Sequence, residues 1–287
     1  MNNLKYFFQF LVIFLLFIIF KIIGLKFSSK LSGYIMLCLG PLFRSKDITN
    51  NNLKNAFPNS THNERKKISD RMWFNYGQIL SEYMFIKNFR KSQKFSKKIL
   101  VENQKVLEKI KLEKNPVIFI SGHFNNFELM AMHLEKSGID LAAIYRPLNN
   151  VFLNPIMERI RKKYICKKQV KKGISGTKQL LHHFKKKTSI ALMIDQRVSE
   201  GIKSKFFDKE ALTTTIPAQF IKKYNVKVVP IYIERLKDNS FKIEVYDPLT
   251  FSKDETINSI THHLNKVLEQ MIIKNPEQWI WMHNRWK

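Results

Sequence analysis

The stretch Val117-Ile118-Phe119-Ile120-Ser121-Gly122-His123-Phe124-Asn125-Asn126-Phe127-Glu128-Leu129-Met130-Ala131-Met132-His133-Leu134 places two kinds of hydrophobic pattern back to back. Val117 to Ile120 is a short, unbroken apolar run rich in β-branched residues, which reads as a buried strand. Leu129 to Leu134 reads as a helix. A histidine therefore stands where a strand ends, and a carboxylate falls in the first turn of the helix that follows. Imidazole is the side chain best matched to accepting a proton near neutral pH. A neighbouring carboxylate can fix its tautomer and stabilise the imidazolium. With 8 His and 23 acidic residues in 287, about 0.6 His-x4-acid matches arise by chance, so the pair gains its meaning from its surroundings.

Downstream the alternation continues. Strands are expected at Val117–Ser121, Leu141–Tyr145, Ile190–Asp195, Val228–Glu234 and Phe241–Tyr246. Helices are expected at Phe127–Lys136, Asn154–Tyr164, Gly176–Phe184, Pro217–Tyr224 and Ile257–Lys274. Such alternation argues for an α/β fold, a sheet flanked by helices. The last two strands, joined by Lys237-Asp238-Asn239-Ser240, suggest a hairpin and hence a mixed sheet. Upstream, Thr61 and Glu64 form a capping-box pattern at the start of one long helix expected to reach Ile86. Its Trp73, Tyr76, Ile79, Leu80, Tyr83 and Met84 recur at helical spacing, as a core-facing stripe does.

The N-terminus differs in kind. Tyr6 to Phe20 reads YFFQFLVIFLLFIIF with Gln9 alone polar, and the apolar character resumes after Lys21 through Leu25. That approaches the ~20 residues a bilayer crossing needs. No small-residue cleavage site follows, which favours a retained anchor over residues 1–27, with a catalytic domain over 28–287. Lys5 precedes the run while Lys21, Lys26 and Lys30 follow it, placing the domain on the cytoplasmic side of the inner membrane. The anchor is single-pass or monotopic. A second apolar patch, Tyr34 to Phe43, is too short to span.

The formal net charge is +27. It suits an anionic lipid surface or an acidic carrier protein. Nucleic acid ranks last, because no recognition helix, zinc finger or RNA-binding signature accompanies the charge. Cys38 and Cys166 lie far apart without ligand-type neighbours, which fits a reducing compartment and neither a disulfide framework nor a zinc site.

Further segments join the His/Glu pair: Asn52-Leu53-Lys54-Asn55-Ala56-Phe57-Pro58, Tyr145-Arg146-Pro147, Asp195-Gln196-Arg197, Phe206-Phe207 with Thr213-Thr214-Thr215, and the closing Pro276-Glu277-Gln278-Trp279-Ile280-Trp281-Met282-His283-Asn284-Arg285-Trp286. Taken in order, from about residue 5 to 287, they resemble the bacterial lipid A biosynthesis acyltransferases, which add secondary lauroyl or myristoyl chains. The His-x4-acid element by itself is shared with the wider glycerolipid acyltransferase superfamily. The resemblance implies a glycerol-3-phosphate acyltransferase-like α/β domain behind a membrane anchor, with His123 and Glu128 as catalytic residues. It implies substrate or carrier binding at Arg146, and places Asp195, Gln196, Gly122 and Asn126 among the substrate-binding positions. No metal and no organic cofactor is expected. The implied donor is an acyl-carrier-protein thioester, and the acceptor a hydroxyl of a phosphorylated glycolipid. Where family members carry a Gly/Pro-rich run between Arg197 and Phe206, this chain has Glu200, Lys203 and Lys205, which opens the acceptor to other lipids: a lysophospholipid, an aminolipid or another glycolipid. A membrane hydrolase using Ser121 and His123, and a non-catalytic basic adaptor, are the readings from other classes. The first lacks a Gly-x-Ser-x-Gly elbow.

Overall fold

The computed structural model describes residues 2–43 and 46–287. Helix α1 (Asn2–Phe43) carries the apolar N-terminus and extends through the Tyr34–Phe43 patch as two helical halves joined by a kink at Gly24, whose φ of 78° and ψ of 167° interrupt the helical path. α2 (Lys46–Ala56) leads to α3 (His62–Glu82). The capping box forms as its residues require: the Thr61 hydroxyl accepts from the Glu64 amide, and the Glu64 carboxylate accepts from the Thr61 amide. The helix ends earlier than its periodicity suggests. A 3-10 turn at Tyr83–Phe85 separates it from α4 (Ile86–Lys91) and α5 (Gln93–Ser96).

β1 (Ile99–Glu102) and α6 (Gln104–Glu113) precede β2 (Ile118–Ser121), which is buried on both faces. α7 (Glu128–Lys136), β3 (Leu141–Tyr145) and α8 (Leu153–Ile160) follow, with a π-helical turn at Arg161–Ile165 closing α8. Next come β4 (Lys168–Lys171), α9 (Ile174–Lys185), β5 (Ser189–Met193), the hairpin β6 (Ile202–Phe206) and β7 (Lys209–Thr213), and α10 (Ile216–Tyr224). β8 (Val228–Arg235), β9 (Phe241–Val245) and α11 (Ile257–Lys274) complete the core.

Seven strands form one mixed sheet in the order β1-β9-β8-β2-β5-β3-β4. β8, β2, β5, β3 and β4 run parallel, and the β8–β9 hairpin supplies the antiparallel pair expected from its turn. The five expected strands are all present. β1, β4 and the separate β6–β7 hairpin are additions that the sequence pattern hid. β4 is lysine-rich because it is an edge strand, and charged side chains there block further strand pairing. β6 (IKSKF) and β7 (KEALT) are short and carry charged residues on their exposed faces, with Ser204 at a buried position of β6, so their apolar alternation is weak.

The second half of α1 lies against α3 at very short range. Ser32 Oγ donates to the Gly77 carbonyl at 2.6 Å, and Gln78 Nε2 donates to Ser29 Oγ at 3.0 Å. A Cβ on Gly77 would sit 2.1 Å from the Ser32 carbonyl oxygen, and one on Gly40 would sit 2.2 Å from the Trp73 ring. The glycines are what lets the two backbones approach. Gly77→Ala is expected to force the helices apart at a cost of about 1–3 kcal/mol, read as a lowered midpoint in thermal unfolding of the detergent-solubilised protein.

Candidate active site

The parallel pairing of β2 with β5 sets Ser121 opposite Met193. Continuing that register by two residues brings His123 level with Asp195, and the Ile194 amide already donates to the Ser121 carbonyl at 3.0 Å. The consequence is a double bond of side chain to residue. The His123 amide donates to Asp195 Oδ2 at 2.8 Å, and His123 Nδ1 lies 2.7 Å from Asp195 Oδ1. Trp279 Nε1 donates to the same Oδ2 at 2.8 Å. Because an ionised carboxylate only accepts, Nδ1 carries the proton and Nε2 is left as the basic nitrogen.

Asp195 is buried, which by itself disfavours its charge. The facing His123 and the hydrogen bonds from His123 and Trp279 outweigh burial and hold the carboxyl at about 2. For His123, burial pulls the pKa down, but the charge and hydrogen bond of Asp195, together with the charge of Glu128, raise it above the ordinary histidine value, with Lys172 opposing. The His123 ring packs edge-on against Phe127 and keeps a fifth of its side chain exposed, so the imidazole is partly open to solvent.

Glu128 takes a different place from the one the motif implies. Its buried carboxylate Oε1 accepts from Arg161 Nε and Nη2, both at 2.7 Å, and from the Tyr83 hydroxyl at 2.5 Å. It reaches His123 through its charge and not through a hydrogen bond. The reason is local. Glu128 opens α7 and points toward the 3-10 turn after α3 and the π-turn after α8, whereas the sheet register offers His123 the carboxylate of the adjacent strand. Burial raises the Tyr83 phenol far above its usual range, as does the neighbouring carboxylate. Arg161 Nη1 is buried without a hydrogen-bond partner.

The loop between His123 and Glu128 is fixed from behind. Asn125 adopts φ of 43°, in the left-handed region asparagine tolerates. Its amide donates to the Gln278 carbonyl at 3.0 Å, and its side chain donates to Ile233 O and Gln278 Oε1. Asn126, expected among the substrate contacts, is fully buried and spends its side-chain amide on Glu82 Oε2 at 3.0 Å. Glu82 forms a buried ion pair with Arg235, which also donates to Asn75. Breaking such a pair costs about 3–5 kcal/mol, since one charge is left alone in the interior. Gly122 is likewise buried: a Cβ there would lie 3.0 Å from the Phe124 ring, so the close packing of its own loop requires the glycine.

Arg146 stands exposed just past β3, at the same C-terminal end of the parallel strands as His123, and Gln196 follows Asp195 half-buried. Trp279 and Trp281 are core residues packed ring to ring at 4.6 Å, which makes the C-terminal segment a plug and not an interfacial belt. Thr213 and Phe206 are buried as well, with Arg285 donating to Thr213 Oγ1 at 2.7 Å. Ser121 Oγ faces Gly122 O and the Met130 sulfur, away from any base, which removes the geometry a serine hydrolase needs. Among the described residues, no three His, Cys, Asp or Glu side chains group so as to hold a metal ion. Sequence reasoning missed Arg161, Tyr83 and the role of Trp279. Arg161 lies in a lysine-rich stretch that resembles a solvated face, and only the π-turn rotates it inward.

The profile of bacterial lipid A biosynthesis acyltransferases matches residues 1–287. The lipid A biosynthesis acyltransferase 2 of Shigella flexneri is 23% identical over 239 residues, covering 80% of this chain and 74% of its own. The lipid A biosynthesis palmitoleoyltransferase of Escherichia coli is 24% identical over 253 residues, covering 86% and 80%. The Escherichia coli lipid A biosynthesis lauroyltransferase is 22% identical over 269 residues, covering 89% and 83%. With a match along its whole length and a histidine–carboxylate pair just past the C-terminal ends of two central strands, the chain belongs to the bacterial lipid A biosynthesis acyltransferase family and is an acyltransferase.

Proposed function

We propose that the chain moves a fatty acyl group from an acyl-carrier-protein thioester to a hydroxyl of a phosphorylated lipid A precursor at the cytoplasmic face of the inner membrane, with residues 1–27 as anchor and 28–287 as catalytic domain. The observation that carries this reading is the His123–Asp195 pair, with its basic Nε2 left free.

In the proposed reaction His123 Nε2 takes the acceptor O–H proton as the oxygen attacks the thioester carbonyl. Asp195 holds the ring in the Nδ1–H tautomer and stabilises the imidazolium, with Trp279 fixing Asp195 in turn. Glu128 adds its negative field to the same charge. Arg161, itself held by Glu128 and Tyr83, keeps Nη1 as a donor for the carbonyl oxygen as it becomes an oxyanion. When the C–S bond breaks, the proton on His123 passes to the departing thiolate, so the base returns to its neutral form and no acyl-enzyme is required. Arg146 suits a phosphate, on either the acceptor or the carrier's phosphopantetheine arm. The charge of +27 favours encounter with an acidic carrier protein.

The test is turnover in membranes carrying the wild-type protein or His123→Ala, with a panel of acyl-carrier-protein thioesters and a tetra-acylated lipid A precursor, read by mass spectrometry. A gain of one acyl group that His123→Ala abolishes is expected. Acylation of a lysophospholipid but not of the precursor would reassign the acceptor.

The raised His123 pKa sets the pH profile. The base works only when neutral, so the acid limb of kcat/KM is expected above pH 6.5. Asp195→Asn removes the charge that lifts it. The limb should then move to lower pH while kcat falls by roughly 10²–10⁴. Glu128→Gln leaves the His123–Asp195 bond in place and should displace the limb less than Asp195→Asn does. An equal or larger displacement would assign the orienting carboxylate to Glu128.

A further inference from the structure

α1 is the described helix long and apolar enough to cross a membrane, yet it does not stand clear of the domain. Between Asn3 and Phe20 the less exposed residues are Tyr6, Phe10, Ile13, Leu16, Phe17 and Phe20, spaced so that one narrow stripe faces the protein at every turn. At one end of that stripe Asn150 Nδ2 donates to the Tyr6 carbonyl at 2.8 Å, and the Phe152 ring meets Phe7 and Phe10 at 5.5 and 6.1 Å. At the other end Lys21 Nζ donates to Met84 O and Asn88 Oδ1 and lies over the Phe85 ring, so its charge is satisfied by the domain. The docked length is about 21 Å, too much of a ~30 Å hydrocarbon layer for the helix to cross while its protein neighbours stay in water.

The neighbour at the Tyr6 end is itself apolar. In the segment joining β3 to α8, Leu148, Val151 and Phe152 are 39%, 54% and 38% exposed. Arg146 precedes it, and Arg159, Lys162 and Lys163 follow it, all exposed to solvent. An apolar tip flanked by cations is the pattern of a segment seated at the boundary of an anionic bilayer. It leaves β3 at the C-terminal end of the parallel strands, the end where His123 and Asp195 sit.

We propose that residues 148–152 and the outer face of α1 form one continuous lipid-contacting surface that seats the C-terminal end of the parallel strands, where His123 lies, on an anionic bilayer, so that a lipid acceptor reaches His123 without leaving the membrane. This rests on the reading of α1 as a membrane anchor. In this arrangement the N-terminal end of the parallel strands, where α6 ends with Leu112 80% exposed, is left in water.

The test uses full-length protein in which Cys38 is replaced by serine, Cys166 being buried. An environment-sensitive fluorophore is attached at Leu15→Cys on the outer face of α1, at Val151→Cys, or at Leu112→Cys. Each protein is reconstituted in phosphatidylethanolamine–phosphatidylglycerol vesicles containing nitroxide-labelled lipid. The label at 151 is expected to lose roughly half or more of its emission, as the label at 15 does, while the label at 112 stays bright. Quenching at 15 without quenching at 151, or equal quenching at 151 and 112, would overturn the proposal and leave the anchor intact. No quenching at 15 would overturn the anchor itself.

Discussion

The molecule is organised around one buried carboxylate. Asp195 lies at the end of β5 where water does not reach, and an ionised carboxyl is stable there only if donors replace its hydration. Three do: the amide and the ring of His123, and the indole of Trp279. Each donor comes from a different requirement of the fold. The amide is presented by the parallel register of β2 on β5, the ring by the turn after β2, and the indole by a C-terminal segment that returns across the sheet to bridge Phe124 through Trp279. The need to satisfy one charge therefore ties the central strands, the His123 loop and the chain's last residues into a single unit.

A second buried pair supports the first. Glu82 and Arg235 join α3 to β8, and through Asn126 they grip the loop that carries His123. Gln278 does the same from the other side through Asn125. These buried side-chain donors and acceptors constrain the loop backbone, and they hold a non-glycine residue, Asn125, at positive φ two residues from His123. Glu128 belongs to a third polar group, with Arg161 and Tyr83, whose charge acts on His123 across space. The two acids of the site thus have separate work: one bonds the histidine, the other bonds the arginine.

α1 extends the same logic to the outside. Its second half is locked onto α3 by Gly40, Gly77 and a row of buried serines, and its first half rests on the domain along one stripe. A helix held at both ends to the domain fixes the orientation of the sheet edge relative to whatever its apolar outer face contacts.

Much of this was legible in the chain itself. Val117–Ile120 announces a central strand because a short, β-branched apolar run bounded by turn residues suits a strand covered on both faces, and the period change after Glu128 announces the helix. The five principal strands, the capping box at Thr61, the β8–β9 turn, the apolar N-terminus and the place of His123 at a strand end all follow from local pattern, since propensity, capping and hydrophobic period are properties of short segments. What the sequence could not determine is which acid serves His123. Spacing along the chain favours Glu128, five residues on, whereas strand register delivers Asp195 from 72 residues away. Arg161, Tyr83, Trp279 and the Glu82–Arg235 pair were hidden for the same reason. A side chain buried by tertiary contacts carries no mark of it in its neighbours along the chain, and only the assembled sheet decides which charges meet.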